Sequence, residues 1–224
     1  MSSGKKRGIR TTPNERSEEI SRVILIGGAP CVGKTSVAHL LAAHLGHACI
    51  CVDDLRIAAS AVTEKQTHPG LHVMTGVDYR QYYVESSLEQ LIHDAELQHR
   101  SMWPAIRGVI EAHLSWARPA IIEGWGFFPK DVRELTERQA RAFWLVADRE
   151  VLENRLRAQD TFWSSASNPD LMFAQYLARS LWIDQYIRQE AKSHGSRLVD
   201  VCADLSAIDI ANRCLELVLE CGTG

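Results

Sequence analysis

Five short runs of consecutive apolar residues punctuate the chain: RVILIGG (22–28), ACICV (48–52), PAIIEG (119–124), AFWLVA (142–147) and RLVDV (197–201). Continuous apolar runs of this length, bounded by glycine or acidic residues, read as strands covered on both faces. Between them the apolar spacing changes to that of helices. Val37, Leu41 and Leu45 fall four apart and Gly46 ends the run, which predicts a helix after Lys34. Further helices are predicted from about Tyr82 to Trp116 with a break near Pro104, over 131–139, and from Arg149 to about Gln159 with Asp148 as its cap. A loop over 160–170 precedes a long helix to about His194, closed by Gly195, and a last helix covers 207–220. Strands alternating with helices imply βαβ units, hence an α/β fold with a five-stranded parallel sheet flanked by helices. Residues 55–117 are longer than a single crossover needs and read as a helical, substrate-binding insertion.

Composition narrows the class without changing this picture. With 224 residues, 46% hydrophobic and 24% charged, the chain suits one α/β domain able to bury its own core. That domain is expected over 21–224, behind a polar, disordered tail at 1–20. Lys+Arg 25 against Asp+Glu 28 gives −3, so no global positive field draws in nucleic acid or an anionic membrane. The stretch from Thr35 to Val52 lacks formal charge, but His39, His44, Gly46 and His47 divide it into helix and strand rather than a membrane span. Lys5, Lys6 and Arg7 are followed by no apolar stretch, so no signal peptide is expected and the location expected is cytoplasmic. The cysteines at 31, 49, 51, 202, 214 and 221 contain no C-x-x-C pair and read as reduced core thiols, not a zinc site.

The candidate chemistry sits directly after the first strand. Residues Gly28, Ala29, Pro30, Cys31, Val32, Gly33, Lys34 and Thr35 spell GAPCVGKT, a G-x-x-x-x-G-K-T phosphate loop between a buried strand and an amphipathic helix. Phosphate needs several backbone N–H groups converging on it, and glycines let the backbone wrap closely. The helix N-terminus adds its positive end. Lys34 is placed to reach the β- and γ-phosphates and the Thr35 hydroxyl to ligate Mg²⁺, so ATP and Mg²⁺ are the cofactors expected of this P-loop NTPase fold. The guanine-reading N/T-K-x-D motif of regulatory GTPases and the LSGGQ-like signature of ABC ATPases are both absent.

What remains resembles the compact P-loop kinases of small molecules. VDDLR (52–56) resembles the D-x-x-R segment that ends the second strand in 2-phosphoglycerate kinase-like proteins. Chloramphenicol phosphotransferase and zeta-toxin kinases place an aspartate at a similar point. IIEGWGFFP (121–129) resembles the first family's I-E-G-x-x-x-x-P segment, and DQYIRQEAKSHG (184–195) its last helix, so the likeness runs from about 22 to 205. It implies an ATP-dependent kinase that transfers a γ-phosphoryl group to a hydroxyl of a small-molecule acceptor. The family's polar His inside the I-E-G segment is replaced here by Trp125, Gly126, Phe127 and Phe128, pointing to a larger, more apolar acceptor. A nucleoside or nucleotide kinase, and a nucleotide-binding regulatory module without an acceptor, are the alternatives; a monomer and a homodimer are equally compatible with the sequence.

Roles follow from position and from the resemblance. Asp53, ending the second strand, is the expected base, orienting the acceptor hydroxyl and taking its proton. Glu123, ending the third, is expected to hold Mg²⁺, or to be the base itself with Asp53 only orienting substrate. The resemblance makes 155–170 a lid in which Arg155 or Arg157 neutralises the transferring phosphoryl; two apart on a helix, they do not share a face. Arg179 is a further candidate. Arg56, Tyr79, Arg80, Tyr82 and Arg107 are placed to contact the acceptor, and Trp125 and Phe127 to form an apolar wall against it. Cys31, near Lys34 and a helix N-terminus, has features that lower a thiol pKa, against the plainer reading of an inert filler. His72, His93, His99 and His113 lack metal-ligand spacing.

Overall fold

The computed structural model describes residues 21–137 and 140–219, so the tail at 1–20 and Cys221 lie outside the described residues. Its strands are β1 (Val23–Gly28), β2 (Ala48–Cys51), β3 (Ala120–Glu123), β4 (Ala140–Ala147) and β5 (Arg197–Val201), all parallel in the order β2-β3-β1-β4-β5. β1 lies at the centre and is buried throughout, as its six-residue apolar run requires. The sequence reading placed the second strand near the phosphate loop. Instead β3 lies beside β1, and β2 forms the edge. The difference follows from burial: AIIE of β3 is wholly buried, whereas ACIC of β2 is only partly so.

The helices are α1 (Lys34–Leu45), α2 (Val52–Ala61), α3 (Tyr79–Glu85), α4 (Leu88–Trp116), α5 (Pro129–Glu137), α6 (Arg149–Arg157), α7 (Asp160–Trp163), α8 (Pro169–His194) and α9 (Ala207–Leu219). Alternating β1 residues feed two cores, because successive strand side chains point to opposite faces. Ile24 and Ile26 join Leu41, Leu152 and Leu215 on one face. Val23 and Leu25 join Ile106, Ile110, Trp144 and Ile187 on the other. No helix among the described residues is long and apolar enough to cross a membrane.

Three local expectations are corrected. α4 runs unbroken through Pro104, held by the buried stripe Leu91, Ala95, Met102, Ile106 and Ile110. The break comes instead at Ser86 and Ser87, where the Ser87 hydroxyl accepts from the Gln90 N–H at 3.2 Å and caps α4. The loop expected over 160–170 contains the single turn α7. Asp148 occupies the cap position of α6 without a capping hydrogen bond, its carboxylate lying 3.8 Å from Arg188.

Candidate active site

The phosphate loop grows directly out of β1. Its backbone turns through left-handed conformations at Cys31 (φ 63°) and Gly33 (φ 100°) before α1 begins at Lys34. Only a glycine serves at 33: besides the positive φ, a Cβ there would come within 2.9 Å of Arg155 Nη1. Lys34 folds back under the loop, 9% exposed, and its Nζ donates to the Ala29 carbonyl at 2.8 Å. Burial pushes the Lys34 ammonium below its ordinary range, while the Glu123 and then the Asp53 carboxylates oppose that shift. The loop therefore holds a buried cation at the positive end of a helix, which is the electrostatic requirement for a polyphosphate.

Glu123 ends β3 in register with Ile26 of β1 and is 2% exposed. The Thr35 hydroxyl donates to Glu123 Oε1 at 3.0 Å. A hydroxyl and a carboxylate so placed are an all-oxygen donor pair, the kind Mg²⁺ takes while completing its shell with phosphate oxygens and waters. The residues thus fit ATP with Mg²⁺: Lys34 and the loop amides for phosphate, Thr35 and Glu123 for the metal. Among the described residues no cluster of three or more His, Cys, Asp or Glu forms a separate metal site.

Asp53 is not the end of a strand but lies in the first turn of α2, exposed beside Asp54. Its position is set by Val52, which packs on the segment after β3. A Cβ on Gly124 would meet Val52 Cβ at 2.5 Å, and one on Gly126 would meet Val52 Cγ1 at 2.8 Å. The two glycines of IEGWG thus let the start of α2 approach the edge of β3, bringing Asp53 within electrostatic reach of Lys34. Arg56 follows three residues later on the same face of α2.

The two arginines expected in a lid separate clearly. Arg155 shares a stripe with Val151 and Leu152, and its Nη1 donates to the Val32 carbonyl of the phosphate loop at 2.6 Å. Arg157 is held by Glu153 at 2.7 Å and lies 4.5 Å over the Phe173 ring, so it is not brought to the phosphate loop as its expected cofactor role required.

The expected acceptor wall is also divided. Trp125 is half-buried, with the Arg179 guanidinium 5.3 Å from its ring centroid. Phe127 is wholly buried in the core, its carbonyl accepting from Trp144 Nε1 at 3.3 Å, so it forms no wall. Replacing each residue by alanine will separate these roles: Phe127→Ala is expected to cost about 3–5 kcal/mol of stability, read as a lowered thermal midpoint. Trp125→Ala is expected to leave most of that stability and to weaken acceptor binding instead.

Other candidates are drawn elsewhere. Arg107 is engaged by Glu111 at 3.0 Å and Glu134 at 3.2 Å, not by the groups around Lys34. Tyr79 donates to the Phe162 carbonyl at 3.0 Å, and Arg80 stacks on Tyr79 at 4.6 Å. Tyr82 donates to Asp94 at 2.8 Å. His72 meets Thr63, His99 meets Asp131 and His113 meets the Arg118 carbonyl, each at 3.0 Å, while His93 is exposed.

Burial raises the Cys31 thiol pKa, outweighing Lys34, which favours the inert-filler reading of Cys31 over an acidified thiol. Burial likewise pushes Cys51 up to about 11 and Cys214 up to about 12. The described cysteines are unpaired, but only Cys214 is a core thiol; Cys202 is exposed.

Sequence reasoning missed Tyr83 and Tyr176. The Tyr83 hydroxyl accepts from Arg179 Nη1 at 2.8 Å, and Tyr176 meets the Phe162 ring edge-on at 5.1 Å. Their signals were the spacings from Tyr79 to Tyr83 and from Tyr176 to Arg179, each placing two residues on one helix face. A separate cleft at the opposite edge of the sheet, lined by Val132, Arg133, Arg197 and Leu217, shares none of these groups.

No family model matches the chain. Among curated proteins, it is 24% identical over 186 residues to the 2-phosphoglycerate kinase of Pyrococcus horikoshii, covering 83% of this chain and 61% of that protein. It is 25% identical over 194 residues to the 2-phosphoglycerate kinase of Methanothermobacter thermautotrophicus, covering 84% and 63%. The chain thus spans less than two thirds of the length of these relatives. Among solved structures, a sugar kinase from Janibacter sp. HTCC2649 superposes with a TM-score of 0.54 at 16% identity, covering 89% of this chain and 95% of that one. A gluconokinase from Sinorhizobium meliloti 1021 gives 0.51 at 17% identity, covering 88% and 93%. The chain therefore has the fold of the P-loop kinases, and in sequence it resembles the 2-phosphoglycerate kinases.

Proposed function

We propose that this protein is an ATP-dependent kinase that phosphorylates a hydroxyl of a small, anionic molecule, since Phe127 and Phe128, on which the larger apolar acceptor rested, are buried in the core while Arg179 stands over Trp125. One observation carries the reading: a buried Lys34 under the phosphate loop, with the Thr35 hydroxyl 3.0 Å from Glu123 beside it. The names of the relatives support a kinase, and phosphoglycerate belongs among the acceptors to be tried.

The loop amides and Lys34 bind the β- and γ-phosphates, and Arg155, leaving its resting contact with Val32, neutralises charge on the transferring group. Thr35 and Glu123 would hold Mg²⁺, which when bound would supply further charge withdrawal from the phosphate oxygens. Asp53 accepts the proton of the acceptor hydroxyl as its oxygen bonds to the γ-phosphorus and the bond to ADP breaks. Trp125 covers one side of the acceptor, and Arg179, stacked on that ring, meets its anionic group. The helices between 55 and 117 then enclose the acceptor, and 155–170 serves as the lid that excludes water.

The test is ATP turnover with and without an acceptor panel: 2-phosphoglycerate, gluconate, a bulky apolar alcohol and a nucleoside, with products followed by ³¹P NMR. Slow hydrolysis alone and a phosphorylated product with an anionic hydroxy compound are expected. Hydrolysis with no transfer to any acceptor would leave a regulatory NTPase, and transfer to the nucleoside a nucleoside kinase.

A further inference from the structure

We infer that α3 is a strut between the acceptor wall and the lid, and that Tyr79 is a positioning residue which holds the lid on the phosphate loop. The inference rests on the kinase reading for its purpose, not for its geometry.

α7 is a single turn of four residues, too short to be stable on its own propensity. It needs an external hold. Tyr79, the first residue of α3, supplies one across 83 positions of sequence: its hydroxyl donates to the Phe162 carbonyl at 3.0 Å. Its ring stacks on Phe162 with centroids 4.9 Å apart and planes 24° from parallel. Arg80 covers the Tyr79 ring at 4.6 Å, and the Asp78 carboxylate caps α3 by accepting from the Arg80 N–H at 2.9 Å. The anchor is therefore itself fixed. On the far side Phe162 meets Tyr176 edge-on at 5.1 Å, so the lid turn is clamped between α3 and α8.

One turn along the same face of α3, Tyr83 touches the other half of the site. Its hydroxyl accepts from Arg179 Nη1 at 2.8 Å, and the Arg179 guanidinium lies 5.3 Å from the Trp125 ring centroid. Tyr83 is 5% exposed, so α3 cannot shift there without disturbing packed neighbours. The lid end of the path reaches the phosphate loop directly. Gln159, at the joint of α6 and α7, lies 3.8 Å from the Cys31 thiol, and Arg155 donates to the Val32 carbonyl at 2.6 Å. A ligand that moves Arg179 or Trp125 thus acts through Tyr83 and Tyr79 on Phe162, and so on the segment bearing Arg155. By linkage, whatever factor the acceptor imposes on nucleotide affinity, nucleotide imposes equally on acceptor affinity.

Hydrogen exchange and binding of a non-hydrolysable ATP analogue with Mg²⁺ test this on the whole chain, without any phosphoryl transfer. Tyr79→Phe keeps the ring and removes only the hydroxyl. In that variant, amides of 158–166 should exchange about three- to tenfold faster, the range set by one hydrogen bond. Analogue affinity should fall by a similar factor, while β1 and α1 exchange as in the parent. Tyr83→Phe, at the other end of the strut, should also speed exchange in 158–166. Gln81→Ala, on the exposed face of α3, should change neither reading. Unmoved lid exchange and affinity in Tyr79→Phe, or the same change in Gln81→Ala, overturn the positioning role. Lid exchange unmoved in Tyr83→Phe overturns the coupling to the acceptor wall. If no acceptor in the panel is phosphorylated, the kinase reading fails, yet these binding and exchange results still decide the strut.

Discussion

Lys34→Met is expected to lower phosphoryl transfer by at least about 10²–10³-fold, the scale on which a single preorganised charge or donor acts in a water-poor site. Folding should be largely spared. Lys34 is 9% exposed and its Nζ meets one protein acceptor, the Ala29 carbonyl at 2.8 Å. Methionine fills most of the same volume. Removing the ammonium relieves the desolvation that already depresses its pKa, while leaving the Ala29 carbonyl without this partner. These effects oppose each other, so the net stability change should stay within about 2 kcal/mol. A transfer assay and a thermal melt on the same preparation check both halves. Unchanged transfer would remove the phosphate loop from the mechanism. The sign of the Lys34 shift also sets a pH limit for the parent: only the ammonium attracts phosphate, so nucleotide binding should weaken on the alkaline side before pH ~10.4, where an unperturbed lysine titrates.

Asp53→Asn is expected to lower kcat by about 10²–10⁴-fold, the range of a general base, with nucleotide affinity nearly unchanged. The amide keeps the size of the carboxylate but accepts no proton. Asp53 is exposed in the first turn of α2, so the loss to folding is confined to its interaction with the helix dipole, about 0.3–1 kcal/mol. Glu123→Gln should behave differently. Its carboxylate is buried and already accepts from Thr35, so the amide should raise the Mg²⁺ concentration needed for half-maximal turnover. Mg²⁺ titrations of both variants separate the two roles. A kcat loss confined to Glu123→Gln, with an Mg²⁺ shift in Asp53→Asn, would mean the two carboxylates are reversed.

Several features of this site were legible before any fold was known. GAPCVGKT is contiguous, and its strand-loop-helix context is read from neighbours within a few residues. The strand runs were equally local: each begins and ends within two residues of an observed strand, and Val52, the last residue of the second run, instead opens α2 together with both aspartates. The division between Arg155 and Arg157 was half legible. Helical geometry says that they point apart; only the burial of Leu152 and Leu156 decides that Arg155 faces the phosphate loop. Trp125 and Phe127 stand two apart after β3, and nothing in that spacing says that Phe127 enters the core while Trp125 stays half-buried beneath Arg179.

By itself the sequence determined the phosphate-loop motif and the strand-helix alternation, because each depends on local backbone preference and on residue chemistry, and it put forward the two carboxylates that the proposed mechanism uses. Tertiary structure alone decided which carboxylate neighbours Thr35, since strand order is set by which apolar run is buried most completely, and β3 took the place beside β1. It also decided that the Tyr79 hydroxyl meets the Phe162 carbonyl. That contact joins residues 83 positions apart, and a hydroxyl meeting a carbonyl at such a separation leaves no periodicity in the chain, because the packing of α3 and α8 around α7 creates it.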